Sequence, residues 1–321
     1  MPTRPSFDSL PLRKDGPLGN AWGLYGDDDE LGALNLLTPE TTIDAAKEIV
    51  DGTRVATDWP LDSMQPPAFK RQAFHHSIVN KAPRAVNDDI VTFNTQSSTQ
   101  WDGFRHYGAR KCGRFYNGAT QEQITDSNRI GTQAAMLIVW VETGGIVGRG
   151  VLLDWASWAR KEGLEVNVHS HYAITAEALG QVAASQGIIF KQGDILFIRT
   201  GFTESYDSLT NEAKVELTKE YAPETIGLES SKATLRWIWD NGFAAIAGDQ
   251  PAMEAMPFPQ HQYVLHEWLL PGWGMPIGEL FNLKRLSEEC RERKRWTFFF
   301  SSMPIYVRGG VASPPNGVAI F

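Results

Sequence analysis

Cysteine is scarce in this chain. Its 321 residues include two, Cys112 and Cys290, and there is no Cys-x-x-Cys pair. A secreted domain that depends on disulfides carries more cysteines, and structural zinc sites use closely spaced thiolates. Neither class fits this chain. Both thiols are interpreted as small apolar side chains, which is how most free cysteines behave.

Long apolar runs and a basic surface are also missing. No run approaches the roughly 20 apolar residues that a membrane-spanning helix needs, and the N-terminal residues lack the apolar core of a signal peptide. Acidic residues outnumber basic ones by 38 to 30, which gives a net charge of −8. Nucleic acids and anionic membranes attract clustered Lys and Arg. We therefore expect a cytoplasmic protein that acts on a small molecule and binds neither nucleic acid nor membrane.

Several well-known enzyme motifs are absent. The sequence contains no Gly-x-Ser-x-Gly, no Walker loop, no Gly-x-Gly-x-x-Gly after a strand and no His-Glu-x-x-His. These motifs build the nucleophile elbow, the phosphate-binding loops and the zinc site of four large enzyme classes. The sequence thus gives no support for an α/β-hydrolase, a P-loop enzyme, a dinucleotide dehydrogenase or an HExxH metalloprotease.

The residues that are present predict one α/β domain with a mixed sheet. Hydrophobic residues make up 42% of the chain, and no stretch resembles a linker, so residues 1–321 are expected to form a single domain, with 1–20 as a loosely ordered N-terminal arm. Thr38 followed by Pro39 predicts a helix start. Apolar spacing predicts helices and strands as follows: helices over 38–50, 174–187 and 229–241, and strands over 89–94, 136–141, 151–154, 194–199, 244–247 and 296–300.

Asp102 and His106 form the first candidate catalytic pair. They lie four residues apart in a segment rich in amides and aromatics, and Gly103 predicts a turn there, just beyond a strand ending near Asn94. A carboxylate beside an imidazole can fix the tautomer of the ring and raise its basicity, as a general base requires. The alternative is a capped turn with an ion pair to Arg105, and the local pattern does not choose between the two.

His266 and Glu279 form a second candidate group. Glu279 stands between Ile277 and Leu280, after a segment broken by Gly and Pro. The simpler interpretation places Glu279 on a solvated turn. Burial would require a partner for its charge, such as a metal ion, a His or a substrate group, because an unpaired buried charge is costly.

These residues resemble the putative cyclase family, which includes bacterial-type kynurenine formamidases and isatin hydrolases. The similarity rests on several blocks spread over roughly 280 residues, namely 22–35, 100–106, 115–118, 193–201, 266–282 and 309–315. The resemblance implies a swivelling β/α/β fold with a mixed sheet, a homodimer or homotetramer, and hydrolysis of a cyclic or acyclic amide at a divalent metal.

The family motif is His-x-Gly-Thr-His-x-Asp-x-x-x-His, whose first two His and Asp bind metal and whose last His is catalytic. In this chain its two metal histidines are replaced by Gln96 and Gln100, whereas Asp102 and His106 are kept. His266 and Glu279 match the second metal cluster of the family. The resemblance therefore implies a metal site made of Asp102, His266 and Glu279. Such oxygen-rich ligands suit Mn or Mg better than Zn, and operation without a metal stays open.

The primary hypothesis is a cyclase/amidohydrolase-type enzyme that hydrolyses a cyclic amide or ester. In it, His106 oriented by Asp102 acts as general base, and the amides of Gln96 and Gln100 donate hydrogen bonds to a carbonyl or oxyanion. The aromatic residues expected to line the substrate pocket are Trp101, Phe104 and Tyr116, with core packing as the alternative for each. Two other hypotheses remain: a non-hydrolytic cyclase or dehydratase acting on a secondary metabolite, and an inactive small-molecule-binding protein.

Overall fold

A nine-stranded mixed sheet forms the centre of the fold. The computed structural model describes residues 4–125, 136–260 and 262–321. Its strands are β1 (Arg54–Ala56), β2 (His75–Asn80), β3 (Asn87–Thr92), β4 (Gln100–Asp102), β5 (Ile146–Leu153), β6 (Tyr172–Ile174), β7 (Ile195–Ile198), β8 (Ile226–Leu228), β9 (Ala245–Gly248), β10 (Ile277–Glu279), β11 (Thr297–Ser302), β12 (Ala312–Ser313) and β13 (Gly317–Ile320).

Helices fill the connections between the strands. They are α1 (Pro39–Ala45), α2 (Gln121–Thr125), α3 (Met136–Glu142), α4 (Trp155–Lys161), α5 (Ala176–Ser185), α6 (Phe202–Asp207), α7 (Asn211–Leu217), α8 (Lys232–Asn241), α9 (Leu265–Glu267) and α10 (Lys284–Arg293). In the described part of the chain, no helix has the length and apolar character needed to cross a membrane.

The order of strands in the large sheet is β1-β13-β11-β5-β7-β9-β10-β4-β12. The central strands β5, β7, β9 and β10 are parallel, and antiparallel strands extend the sheet on both sides. All four residues of β7 and of β9 are buried, as expected for parallel strands covered on both faces. The mixed α/β fold predicted from the sequence is confirmed.

The predicted helices are present, and their ends agree with their capping residues. The Thr38 hydroxyl accepts a hydrogen bond from the Thr41 backbone N–H at 3.2 Å and begins α1. This helix ends at Ala45, earlier than predicted, and a 3₁₀ turn over Ala46–Glu48 follows it. Thr175 caps α5 and Ser231 caps α8 in the same way.

One predicted strand is wrong. The apolar run over 136–141 forms the helix α3 and not a strand. A short apolar run does not reveal its period, so a buried strand and a buried helix turn give the same sequence signal. The other five predicted strands fall on β3, β5, β7, β9 and β11, with ends shifted by a few residues.

The N-terminal segment, expected to be a loosely ordered arm, packs on the rest of the chain from Arg4 onward. The Trp239 indole N–H donates to the Pro5 carbonyl at 2.9 Å, and Phe7 is buried with its ring 5.8 Å from that of Trp268. By contrast, β2 and β3 form a separate two-stranded hairpin whose residues are nearly all exposed.

Candidate active site

Strands β4 and β10 bring the two candidate groups together. Their antiparallel register pairs Glu279 with Gln100 and Ile277 with Asp102. Side chains alternate between the two faces of a strand, so Gln100 and Asp102 share one face with Glu279. Asp102 therefore ends a buried strand and does not lie on the predicted turn. Glu279 is 2% exposed, which corrects the simpler expectation of a solvated position.

The two glutamines hold the two carboxylates. Gln96 Nε2 donates to Asp102 Oδ1 at 2.6 Å, and Gln100 Nε2 donates to Glu279 Oε2 at 2.8 Å. An ionised carboxylate only accepts hydrogen bonds, so each amide must turn its NH₂ group towards it. The expectation that these amides donate to a substrate carbonyl stays a prediction, because each NH₂ group carries two N–H donors and gives one of them to a carboxylate here.

Two acceptor atoms remain without a partner at this site. Within the described residues, Gln100 Oε1 and Asp102 Oδ2 are buried and make no hydrogen bond. Buried polar atoms normally find a partner, so such orphans indicate a missing ion, water or ligand group. The group that would fill this place is a cation or a hydrogen-bond donor, because an amide oxygen and the oxygen of an ionised carboxylate only accept.

His266 is fixed by a residue that the sequence analysis missed. Glu254 is fully buried, and its carboxylate accepts from the His266 backbone N–H at 3.1 Å and from Nδ1 at 2.6 Å. This leaves His266 Nε2 facing Glu279 Oε1 at 3.3 Å and Asp102 Oδ2 at 3.8 Å. Burial alone would lower the pKa of His266, but Glu254 and Glu279 outweigh it and raise that pKa well above its usual value.

His106 approaches the same Asp102 oxygen as His266. It lies in a turn after β4, where its backbone N–H donates to the Gly103 carbonyl, and its Nε2 is 3.9 Å from Asp102 Oδ2. That distance is too long for a hydrogen bond. Burial lowers the pKa of His106, although Asp102 opposes the shift. This shift favours the neutral form of the ring. Burial also raises the pKa of Asp102, against the attraction of His106.

The side-chain atoms of Asp102, His106 and His266 could hold one metal ion. One ligand atom from each lies within 4.8 Å of the others. The unpartnered Asp102 Oδ2 and the Glu254 carboxylate behind His266 fit this interpretation, since a metal-binding His usually donates its second N–H to a carboxylate. The cluster differs from the predicted set in including His106, whereas both oxygens of Glu279 already accept hydrogen bonds from Met253 N and Gln100 Nε2.

The aromatic residues predicted to line the pocket lie in the core instead. Trp101 points to the other face of the sheet, where its N–H donates to Ser302 Oγ at 3.0 Å. Phe104 and Tyr116 are fully buried and pack on each other with ring centroids 5.1 Å apart. These three assignments are corrected. The rings that contact the site histidines are those of Tyr107 and Phe258, at 5.3 and 5.5 Å from His266.

The sequence analysis also missed Arg71. Its Nη1 donates to the Gln96 carbonyl at 2.6 Å and its Nη2 to Gln96 Oε1 at 3.1 Å. Glu254 could have been suspected from the sequence, because it is an acidic residue between Met253 and Ala255, much as Glu279 is framed by apolar residues. No sequence spacing pointed to Arg71.

The protein thus has an α/β fold with a candidate metal centre at one edge of the parallel strands. The chain belongs to the Cyclase family, described as Putative cyclase, whose match spans residues 37–255. This confirms the resemblance predicted from the sequence and supports an enzyme of the hydrolase/cyclase type. No protein with a curated description matches the chain.

Solved structures support the same family. A crystal structure of a novel cyclase is 32% identical, with 94% of this chain and 99% of that chain covered and a TM-score of 0.80. Isatin hydrolase A from Ralstonia solanacearum is 14% identical, with 88% and 95% covered and a TM-score of 0.60. Isatin hydrolase A from Labrenzia aggregata, bound to benzyl benzoate, is 15% identical, with 89% and 98% covered and a TM-score of 0.58. At these identities the two isatin hydrolases show a shared fold only.

Proposed function

We propose that this protein hydrolyses a small cyclic or acyclic amide, in the manner of a kynurenine formamidase or isatin hydrolase, and that it uses a divalent metal ion. The observation that carries the proposal is the buried, unpartnered oxygen of Asp102. It faces Nε2 of His266 at 3.8 Å and Nε2 of His106 at 3.9 Å. A site built only for stability would not leave this atom unsatisfied.

Asp102 and His266 would hold the ion. Glu254 fixes the tautomer of His266, so Nε2 is the free ligand atom, and Glu279 Oε1 lies beside it. When bound, the ion would polarise the substrate carbonyl and lower the pKa of a water molecule. Because carboxylate and amide oxygens surround the position, we expect Mn or Mg to fit better than Zn.

His106 would act as the general base. Burial lowers its pKa and so favours the neutral ring, and its side chain is 20% exposed, unlike that of His266. A partly exposed neutral imidazole can accept a proton from water and release it again. Its 3.9 Å separation from Asp102 leaves Nε2 free of a hydrogen bond to that carboxylate.

The unpartnered Gln100 Oε1 favours an amide over an ester. This buried oxygen accepts hydrogen bonds only. A lactam or formamide N–H can supply the missing donor, whereas a lactone has none. Sites built to hydrogen-bond a substrate group strongly reject analogues that lack it, because a buried polar atom is then left unpaired.

A metal-free function is the second candidate. The raised pKa of His266 favours its cationic form between Glu254 and Glu279, and that form would balance part of the charge of the site without an ion. In that form the same residues would serve a non-hydrolytic cyclase or dehydratase acting on a secondary metabolite, or a protein that only binds its small molecule.

The test combines metal content with turnover. The purified protein is assayed against lactams, formamides and lactones after chelation, and again with Mn, Mg or Zn added back. We expect amide hydrolysis that chelation abolishes and Mn or Mg restores, and that Asp102→Asn lacks. Glu267→Gln is the matched control, since Glu267 pairs with Arg110 at the surface. Hydrolysis that is unaffected by chelation would overturn the metal proposal, and no hydrolysis with any ion would overturn the hydrolytic one.

A further inference from the structure

Three buried carboxylates converge on one imidazole. Asp102, Glu254 and Glu279 are each 2% exposed or less, and a carboxylate oxygen of each lies within 3.8 Å of a His266 nitrogen. Each buried charge is costly without a partner of opposite sign. His266 can carry at most one positive charge against these three carboxylates, so a further cation of the protein close to them would reduce the cost of their burial.

Arg71 reaches this site through a glutamine. Its guanidinium donates to both the carbonyl and Oε1 of Gln96, and Gln96 Nε2 in turn donates to Asp102 Oδ1. Gln100 Nε2 lies 3.5 Å from the same Gln96 Oε1 and donates to Glu279. The network therefore runs without interruption from one cation through two amides to two carboxylates.

We propose that Arg71 is the fixed cation of the Asp102–Glu279 carboxylate pair and that Gln96 and Gln100 connect it to them. Arg71 is then a positioning residue, because it acts through Gln96 and does not touch the reacting atoms. The amide protons occupy one oxygen of each carboxylate and leave the other oxygen turned towards His266. The glutamine side of the site therefore needs no ion, and the chain should bind at most one metal ion there.

A purely structural role makes a different prediction. Arg71 precedes β2 and Gln96 follows β3, so their contact also closes the base of the exposed hairpin. If closure were its whole role, losing Arg71 would weaken the fold by the same factor whether or not Asp102 carries a charge. If Arg71 balances Asp102, the two losses must compensate each other.

The deciding experiment is a double-mutant cycle measured by chemical unfolding in the presence of a chelator. The variants are Arg71→Met, Asp102→Asn and the double variant. Each single variant should raise the equilibrium constant for unfolding by some factor. We expect that constant in the double variant to be at least tenfold smaller than the product of the two factors predicts. An unfolding constant of the double variant within twofold of that product would overturn the proposal. Lys70→Met is the matched control, since Lys70 donates to the Thr218 and Lys219 carbonyls and, among the described residues, to no carboxylate of the site, so its effect should multiply with that of Asp102→Asn.

Two additions keep the test decisive. If Arg71→Met does not fold, Arg71→Gln replaces it in the cycle: the charge is again removed, so the double variant should show the same compensation. A Gln variant whose effect simply multiplies with that of Asp102→Asn would support hairpin closure and overturn charge balance. Mn affinity gives a second readout, because removing a nearby positive charge should tighten binding by about tenfold, whereas a structural loosening would weaken it.

The part concerning Mn rests on the proposed function, whereas the unfolding cycle does not. If the native protein binds no ion, the proposed metal centre fails, and the cycle in chelator still decides the role of Arg71. If Mn binds and the cycle shows no coupling, the role assigned to Arg71 fails and the metal centre stands.

Discussion

Removing the charge of Glu254 should disturb the site more than any equally conservative change outside it. In Glu254→Gln the side chain keeps its shape, and one oxygen can still accept from His266. The charge that raises the pKa of His266 is lost. Hydrogen bonds to charged groups contribute about 1.5–3 kcal/mol to stability and neutral ones about 0.5–1.5. We therefore expect Glu254→Gln to lower the free energy of unfolding by about 1–2 kcal/mol. Metal affinity should fall about 10- to 100-fold, as for other residues that orient a metal ligand.

Glu254→Ala should cost more. It leaves the buried His266 side chain and backbone N–H without the carboxylate that both now contact. Breaking a buried ion pair from one side costs about 3–5 kcal/mol. Glu279 stays within 3.3 Å of the ring, so we expect the lower end of that range. A chain of this size should then lose about 6 °C in melting temperature.

The pH dependence of stability tests whether Glu254 raises the pKa of His266. A His whose folded pKa is raised stabilises the fold fully below its unfolded pKa of about 6.5. That contribution is lost as the pH rises through the folded pKa. The metal-free native protein should thus lose stability above neutral pH, and Glu254→Gln should lose less over the same interval. Thermal unfolding in chelator from pH 5 to 9, with Glu267→Gln as control, measures this. Equal curves for the two variants would refute the role of Glu254.

Three further predictions concern the same molecule. His106→Ala should lower kcat by about 10²- to 10⁴-fold without unfolding the protein. Because the base must be neutral, the activity of the native protein should decline as the pH falls below the pKa of His106, which is lower than that of free His. An unchanged pH–rate profile in the variant would remove His106 from the mechanism. Calorimetric titration should show that Gln96→His/Gln100→His raises Zn affinity, because it adds imidazole ligands beside Asp102. Tight stoichiometric Zn binding by the native protein would contradict our interpretation that the two glutamines disfavour Zn. Light scattering should give a homodimer or homotetramer, consistent with apolar residues left exposed on the β2–β3 hairpin, such as Ile78 and Ile90, and a monomer at micromolar concentration would contradict it.

Much of the central sheet was predictable because its strands carry a strong local signal. The runs that became β7 and β9 are short, apolar and bounded by charged or glycine residues, which is typical of buried parallel strands. The run that became α3 is also short and apolar. A run of this kind does not distinguish the period of a buried helix from that of a buried strand.

The site was predictable where the residue types and their order along the chain match the family motif. Asp102, His106, His266 and Glu279 come together as expected, because the pairing of β4 with β10 joins the two segments. Trp101 was misplaced for a related reason. The sequence analysis put Asp102 on a turn, and only a strand, with its alternation of faces, shows that Trp101 must point away from its two neighbours.

Glu254 and Arg71 could not be assigned from the sequence. Neither lies at a spacing from the other site residues that predicts contact. Glu254 reaches His266 because the segment after β9 turns back beside α9, and Arg71 reaches Gln96 across the base of a hairpin. Such contacts depend on tertiary folding and leave no periodic signal in the chain.

The central claim is that Asp102 and His266 hold a single divalent ion. Anomalous scattering from crystals soaked in Mn²⁺ tests it most directly, because it locates the ion independently of turnover. We expect one anomalous peak per chain within about 2.0–2.4 Å of Asp102 Oδ2 and His266 Nε2, and none beside the amides of Gln96 and Gln100. A protein without a peak at Asp102, or with its peak between the two glutamines, would contradict the account.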